Sequence, residues 1–140
     1  MTTVYDIILV EDSESDAEII MRALKRAQLQ FGIHHLVDGE KALEYFENGM
    51  MGNVTPKLIL LDMKMPKVDG LEVIRHIRGS ENFRAVPLVV LSSSKEEKDI
   101  QRAYQLGANS YLVKPVDYEG FSNLVVNAVS YWMNLNQTAR

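Results

Sequence analysis

The stretch Leu58-Ile59-Leu60-Leu61-Asp62 is four apolar residues closed by a carboxylate. A short continuous run of this kind, without alternation of apolar and polar positions, fits a strand buried on both faces at the centre of a parallel sheet. Outward from it the same signature recurs. Ile7-Ile8-Leu9-Val10 stops at Glu11-Asp12, and Pro87-Leu88-Val89-Val90-Leu91 stops at Ser92. Ile33 to Val37, with His34 and His35 inside it, and Ser110-Tyr111-Leu112-Val113 have the mixed polarity of less buried strands.

Helical periods fill the intervals. Ala17, Ile20, Leu24 and Ala27 repeat at helical spacing. Ser13 precedes them with Asp16 three residues on, a pairing that resembles a capping box. Ala42, Leu43, Tyr45 and Phe46 mark a second helix ending at Asn48-Gly49. Leu71, Val73, Ile74 and Ile77 mark a third ending at Gly79. Ile100, Ala103, Tyr104 and Leu106 mark a fourth stopped by Gly107. Phe121, Leu124, Val125, Ala128, Val129 and Trp132 mark a fifth. Gly49 to Pro56, with two Gly and one Pro, reads as a longer loop. Five βα units in strict alternation predict an α/β fold: a five-stranded parallel sheet with helices on both faces.

Composition narrows the function. The 140 residues suit one domain, with 1–140 read as a single unit and no room for an output domain. Without cysteine there is no disulfide framework, zinc–thiolate site or Cys nucleophile. Lys plus Arg number 15 against 19 Asp plus Glu, a net charge of −4 with no basic run, which disfavours nucleic-acid binding. The N-terminus has no basic-then-apolar leader, and no apolar run is long enough for a bilayer. A cytoplasmic location is expected.

The ends of the strands carry the chemistry. In a parallel sheet all C-terminal strand ends share one edge, where open α/β folds bind ligands. Glu11 and Asp12, Asp62, Ser92 and Lys114 should therefore converge in one cleft. Singly, each has an ordinary reading: Asp12 as a helix N-cap, Asp62 as a turn residue, Ser92 as loop chemistry, Lys114 as a solvated charge. Together, three carboxylates repel one another and demand a cation. A hard divalent ion such as Mg²⁺ suits oxygen ligands. A carboxylate can also attack phosphorus to give an aspartyl-phosphate, which needs the metal and a fixed cation to offset phosphoryl charge. Asp62, ending the most apolar strand, is the best candidate nucleophile. Glu11 and Asp12 would hold the metal, Lys114 would provide the fixed cation, and the Ser92 hydroxyl would donate to a phosphoryl oxygen.

Four motifs stand along the chain: Val10-Glu11-Asp12; Leu61-Asp62-Met63-Lys64-Met65-Pro66 with Asp69-Gly70; Leu91-Ser92; and Gly107-Ala108-Asn109-Ser110-Tyr111-Leu112-Val113-Lys114-Pro115. In them, and from Val4 to Trp132 as a whole, the chain resembles the receiver domain of two-component response regulators, the CheY-like family. The resemblance implies strand order 2-1-3-4-5. It implies phosphoryl transfer to Asp62 from a phosphohistidine on a sensor histidine kinase. It also implies Mg²⁺ (or Mn²⁺) held by Glu11, Asp12, Asp62 and the backbone carbonyl of Lys64. Ser92 and Tyr111 match the family's switch pair, in which the hydroxyl moves toward the phosphoryl group and the ring turns inward. The Lys114-Pro115 peptide is usually cis in the family. Two positions that tune acyl-phosphate hydrolysis there are Lys64 and Ser94 here.

A finer resemblance joins the Gly49 to Pro56 loop, the Met65-Pro66-Lys67-Val68-Asp69-Gly70 stretch and Tyr131-Trp132 to small single-domain regulators of bacterial phytochrome kinases. It implies a homodimer, and the face expected to be read by a partner or a second copy is that of the fourth helix, fifth strand and fifth helix. Val126, Tyr131, Met133 and Leu135 lie off the core stripe of that last helix.

Three rivals are weaker. A phosphatase resembling the haloacid dehalogenase superfamily needs an acid two residues after its nucleophile, and that position is Lys64. A flavodoxin-like cofactor module would have its phosphate repelled by Glu11-Asp12. A nucleotide-driven enzyme lacks its phosphate-binding Gly-x-x-x-x-Gly-Lys motif here. His34, His35 and His76 read as surface or edge residues, the methionines as gap fillers, and Glu96-Glu97-Lys98-Asp99 as the solvated start of the fourth helix.

Overall fold

The computed structural model describes residues 5–48 and 55–138. Most of the predicted loop from Gly49 to Pro56 lies outside the described residues. Five strands form one parallel sheet: β1 (Ile7–Val10), β2 (Ile33–Leu36), β3 (Leu58–Asp62), β4 (Leu88–Ser92) and β5 (Ser110–Val113). Their order is β2-β1-β3-β4-β5. The helices are α1 (Glu14–Arg26), α2 (Gly39–Asn48), α3 (Gly70–Gly79), α4 (Glu97–Leu106) and α5 (Tyr118–Ser130), the last continued by a π-helical turn over Tyr131–Leu135.

The strand patterns explain this order. β1, β3 and β4 are buried at every position and occupy the centre, whereas β2 and β5, with mixed polarity, are the edges. Successive residues of a strand face opposite sides, so each central strand feeds two cores. Ile8, Val10, Ile59, Leu61, Leu88 and Val90 pack with residues of α2, α3 and α4. Ile7, Leu9, Leu58, Leu60, Val89 and Leu91 pack under α1 and α5. Each such side chain contributes roughly 1.5–3 kcal/mol by leaving water.

The helix boundaries follow local chemistry. Ser13, not Asp12, caps α1, its hydroxyl accepting from Asp16 N at 3.2 Å. Only this half of the expected capping box forms, because the Asp16 carboxylate is engaged elsewhere. Gly107 ends α4 at φ 116°, in the left-handed region that favours glycine. Gly70 opens α3 directly against the loop after β3, where a Cβ would lie 2.7 Å from Met63 Cα. That contact seats the segment following Asp62, and buried Met63, Met65 and Val68 hold it from within.

The tail differs from the expected helical stripe. Asn136 N donates to Tyr131 O at 2.7 Å, the wide turn of a π-helix. Trp132 and Met133 both pack against the core of the α1/α5 side, so Met133 is not an off-core residue. Tyr131 and Leu135 stay exposed. No helix among the described residues is long and apolar enough to cross a membrane.

One side chain locks the end of the sheet away from the charged edge. Arg78 donates through Nε to Gly107 O at 2.9 Å, and through its terminal nitrogens to Val86 O at 2.8 Å and Asn109 Oδ1 at 2.8 Å. Asn109 Oδ1 also accepts from Leu88 N, the first amide of β4. Arg78→Ala would leave these acceptors without their charged donor. A loss of roughly 2–3 kcal/mol is expected, since bonds to charged groups are the strong ones, and urea denaturation would read it.

Candidate functional site

The sheet gathers the predicted residues on its C-terminal edge. Asp62 is the last residue of β3, and Ser92 is the last residue of β4. Glu11 follows β1, its amide bonded to Leu36 O at 3.1 Å. Lys114 follows β5, its amide bonded to Ser92 O at 2.8 Å. These two bonds extend the ladders one residue beyond the strands and fix where both side chains start.

Glu11, Asp12 and Asp62 each place a carboxylate oxygen within 4.8 Å of the others. Glu11 and Asp62 are buried. Lys114 Nζ lies 2.7 Å from Glu11 Oε1, 2.9 Å from Asp16 Oδ2 and 3.6 Å from Asp62 Oδ1. Burial, and then the charge of Glu11, push the Asp62 pKa up to about 8, in spite of the opposing charge of Lys114. Burial alone would lower the Lys114 pKa. Its hydrogen bonds to Glu11 and Asp16, with their charges, prevail and raise it to about 12.

One ammonium therefore faces several carboxylates and does not satisfy them. The donor set is all oxygen, partly buried and electrostatically frustrated. A hard divalent cation fits such a set, because it binds through a few carboxylates and keeps waters that another ligand can replace. Glu11, Asp12 and Asp62 could hold it.

Ser92 is fully buried, and its Oγ accepts from Ser94 N at 3.1 Å. Tyr111 donates its hydroxyl to Ser94 O at 3.0 Å and packs against the α2–α4 core. The two predicted switch residues thus meet at the same short segment, one by its amide and the other by its carbonyl. The Lys114–Pro115 peptide is trans, as are all peptide bonds among the described residues. The expectation of a cis bond is corrected. The tertiary amide before proline prefers trans by only about 0.5–1 kcal/mol, so both isomers are accessible.

Two residues have roles that the sequence pattern does not show. Asp16 pairs with Lys114 instead of completing a capping box. Asp99 is buried, not part of a solvated run; Ser94 Oγ donates to it at 2.6 Å, and Lys64 Nζ lies 3.2 Å away. Those hydrogen bonds and the Lys64 charge hold its carboxyl below the ordinary value against the opposing effect of burial. Its spacing of four from Ala103, on the buried stripe of α4, was the available signal. His35 packs at the β2 edge with Nε2 at 2.7 Å from the Glu11 carbonyl. His34 stacks on Tyr5, with ring centroids 4.5 Å apart.

Known proteins resemble this chain in sequence and in fold. The profile of the response regulator receiver domain matches residues 7–125. A probable methanogenesis regulatory protein, FilR2 of Methanothrix harundinacea, is 42% identical over 137 residues, covering 96% of this chain and 87% of its own. The response regulator Rcp1 of a Synechocystis strain is 34% identical over 129 residues, covering 91% and 88%. The crystal structure of its Mn²⁺-bound form superimposes with a TM-score of 0.87 at 30% identity, over 97% of this chain and 99% of that one. The phosphorylated cyanobacterial phytochrome response regulator RcpA superimposes with a TM-score of 0.88 at 30% identity, over 99% and 100%.

Proposed function

The chain belongs to the response regulator receiver domain family, and from that premise we propose that Asp62 is the residue that accepts the phosphoryl group. The donor is a phosphohistidine on a sensor histidine kinase. An Asp62 carboxylate oxygen bonds to phosphorus as the P–N bond breaks. The bonding pair leaves with the imidazole nitrogen, and a proton carried on the other ring nitrogen of the phosphohistidine makes the leaving group neutral histidine. The observation that carries this reading is the meeting of Glu11, Asp12 and Asp62 oxygens within 4.8 Å, beside the Lys114 ammonium.

Each residue then has a task. Glu11, Asp12 and Asp62, with the Lys64 carbonyl, would hold Mg²⁺ (or Mn²⁺). When bound, the cation offsets negative charge on the phosphoryl oxygens. Lys114 adds a fixed positive charge on the β5 side of Asp62. The Ser92 hydroxyl turns from accepting the Ser94 amide to donating to a phosphoryl oxygen. That turn releases the segment to which the Tyr111 hydroxyl is bonded, and the two residues change state together.

The likeness to Rcp1 and RcpA over nearly their whole length supports a regulator that signals through its own surface, with a phytochrome-type kinase as its partner. The face formed by α4, β5 and α5 would be read by a downstream protein or by a second copy in a homodimer. Tyr104 and Tyr118 are exposed there. The reading sets the protein in the cytoplasm, where a kinase charged from ATP passes on its phosphoryl group.

Incubation with acetyl phosphate and Mg²⁺ tests the central step. Intact-mass measurement should show one phosphoryl group gained; a folded protein that gains none refutes the reading. The raised Asp62 pKa sets a pH dependence. A protonated Asp62 cannot ligate a cation, so below about 8 the proton competes with Mg²⁺. Calorimetric titration from about pH 6 to about pH 9 should show the apparent affinity rising up to roughly tenfold per pH unit and levelling off above about 8.

A further inference from the structure

We infer that Asp16 is a positioning residue for Lys114, tethering the ammonium so that one of its donors stays available for the phosphoryl group on Asp62. The inference rests on Asp62 being the phosphoacceptor. An ammonium has three donors and no acceptor. Two are committed, to Glu11 Oε1 at 2.7 Å and to Asp16 Oδ2 at 2.9 Å. Asp62 Oδ1 stands at 3.6 Å, beyond hydrogen-bond range. The third donor is thus uncommitted on the side where phosphoryl oxygens would be added. The Phe121 ring, 5.8 Å from the ammonium, flanks it.

Local backbone chemistry releases Asp16 for this task. In a capping box its carboxylate would accept from the Ser13 amide. That amide donates to Glu11 Oε2 at 3.3 Å instead. Glu11 therefore covers the orphan donor at the start of α1 and leaves Asp16 free to reach across to the segment after β5. The tether joins α1 to the β5–α5 loop, with a side chain that is 29% exposed.

Without Asp16, the flexible lysine stem has Glu11 and Asp62 as its remaining acceptors. The ammonium would close the 3.6 Å gap and pair with Asp62. It would then occupy the attacking oxygen and compete with the cation for the same carboxylate. Loss of one negative charge beside the cluster would weaken cation binding further.

The test compares wild type with Asp16→Ala and Asp16→Asn, reading Mg²⁺ affinity by calorimetry and the phosphorylation rate with acetyl phosphate at saturating Mg²⁺. Asp16→Ala should weaken Mg²⁺ binding by about threefold and slow phosphorylation by about fivefold, the scale of a modest misplacement of a catalytic group. Asp16→Asn keeps an oxygen acceptor for the ammonium and should restore the rate to within about twofold of wild type. In a Lys114→Met background, Asp16→Ala should change the rate no further, because the residue acts through the lysine. A general helix-terminus role would instead lower stability and leave rate and affinity alone. Asp16→Ala with wild-type rate and Mg²⁺ affinity overturns the inference, as does an equal loss in the Lys114→Met background. A wild-type protein that takes up no phosphoryl group overturns the phosphoacceptor reading; the Mg²⁺ affinities of the variants then decide on the tether by themselves.

Discussion

Asp62→Asn is expected to take up no phosphoryl group from acetyl phosphate or phosphoramidate under conditions in which the wild type takes up one, as read by intact mass. The amide oxygen is a poor nucleophile and brings no negative charge to a hard cation, so the phosphoryl acceptor is lost and cation binding is weakened. The fold should survive, because Asn fills the same volume at the end of β3. Stability adds a second readout. In the cation-free protein, Asp62 has a folded pKa of about 8 against an ordinary value of 3.8. Between those two values the folded chain retains a proton that the unfolded chain has released. The group therefore lowers stability as pH rises through that window and adds no further change above it. Asn has no such dependence. Near pH 8 and without Mg²⁺, Asp62→Asn should unfold later than wild type, by roughly 1–3 kcal/mol, since a buried carboxylate crowded by Glu11 is replaced by a neutral isostere. At a tenfold excess of Mg²⁺ over its Kd, the wild type should recover about 1.4 kcal/mol by mass action while the variant recovers little. Phosphate uptake by Asp62→Asn would move the acceptor to another residue.

Lys114→Met should produce the second large effect, with opposite consequences for stability. The methionine keeps an apolar stem of similar length beside Phe121 but removes the ammonium. Glu11 is 1% exposed and loses its charged partner, and Asp62 loses its opposing charge. Stripping one partner from a buried ion pair costs about 3–5 kcal/mol. Chemical denaturation at neutral pH without cation would read this loss. Lower pH should relieve part of it by protonating the carboxylates. The phosphorylation rate should fall by roughly 10²–10³, the scale for losing a preorganised charge aimed at developing negative charge. A variant as fast as wild type would remove Lys114 from the chemistry while leaving its structural role intact.

Much of this site is legible in the order of the residues. The residues that end β1, β3, β4 and β5 are set by where an apolar run stops, and parallel pairing then brings those stops together. Glu11, Asp12, Asp62, Ser92 and Lys114 were legible for that reason. Asp16 and Asp99 were not. Each sits in the first turn of a helix, where acids are common because they suit the positive end of the helix. The ordinary local explanation hid a long-range one. Asp16 meets a lysine far along the chain, and Asp99 meets Lys64 from a different loop. Met133 turns to the core for a related reason: a π-helical turn changes the angular step, and a stripe counted at the α-helical period points the wrong way.

Residue order is enough for the alternation of strand and helix, for the central place of β1, β3 and β4, and for the carboxylates and lysine along one edge. These follow from burial and from period, which are local properties of a chain. The pairing of charges comes from the folded chain: Lys114 divides itself between Glu11 and Asp16 and stands off from Asp62, and Ser92 and Tyr111 meet at Ser94. Ion pairs and hydrogen bonds depend on distances of a few ångströms between residues far apart in sequence. Their energies change steeply over that range, and residue order alone does not encode it.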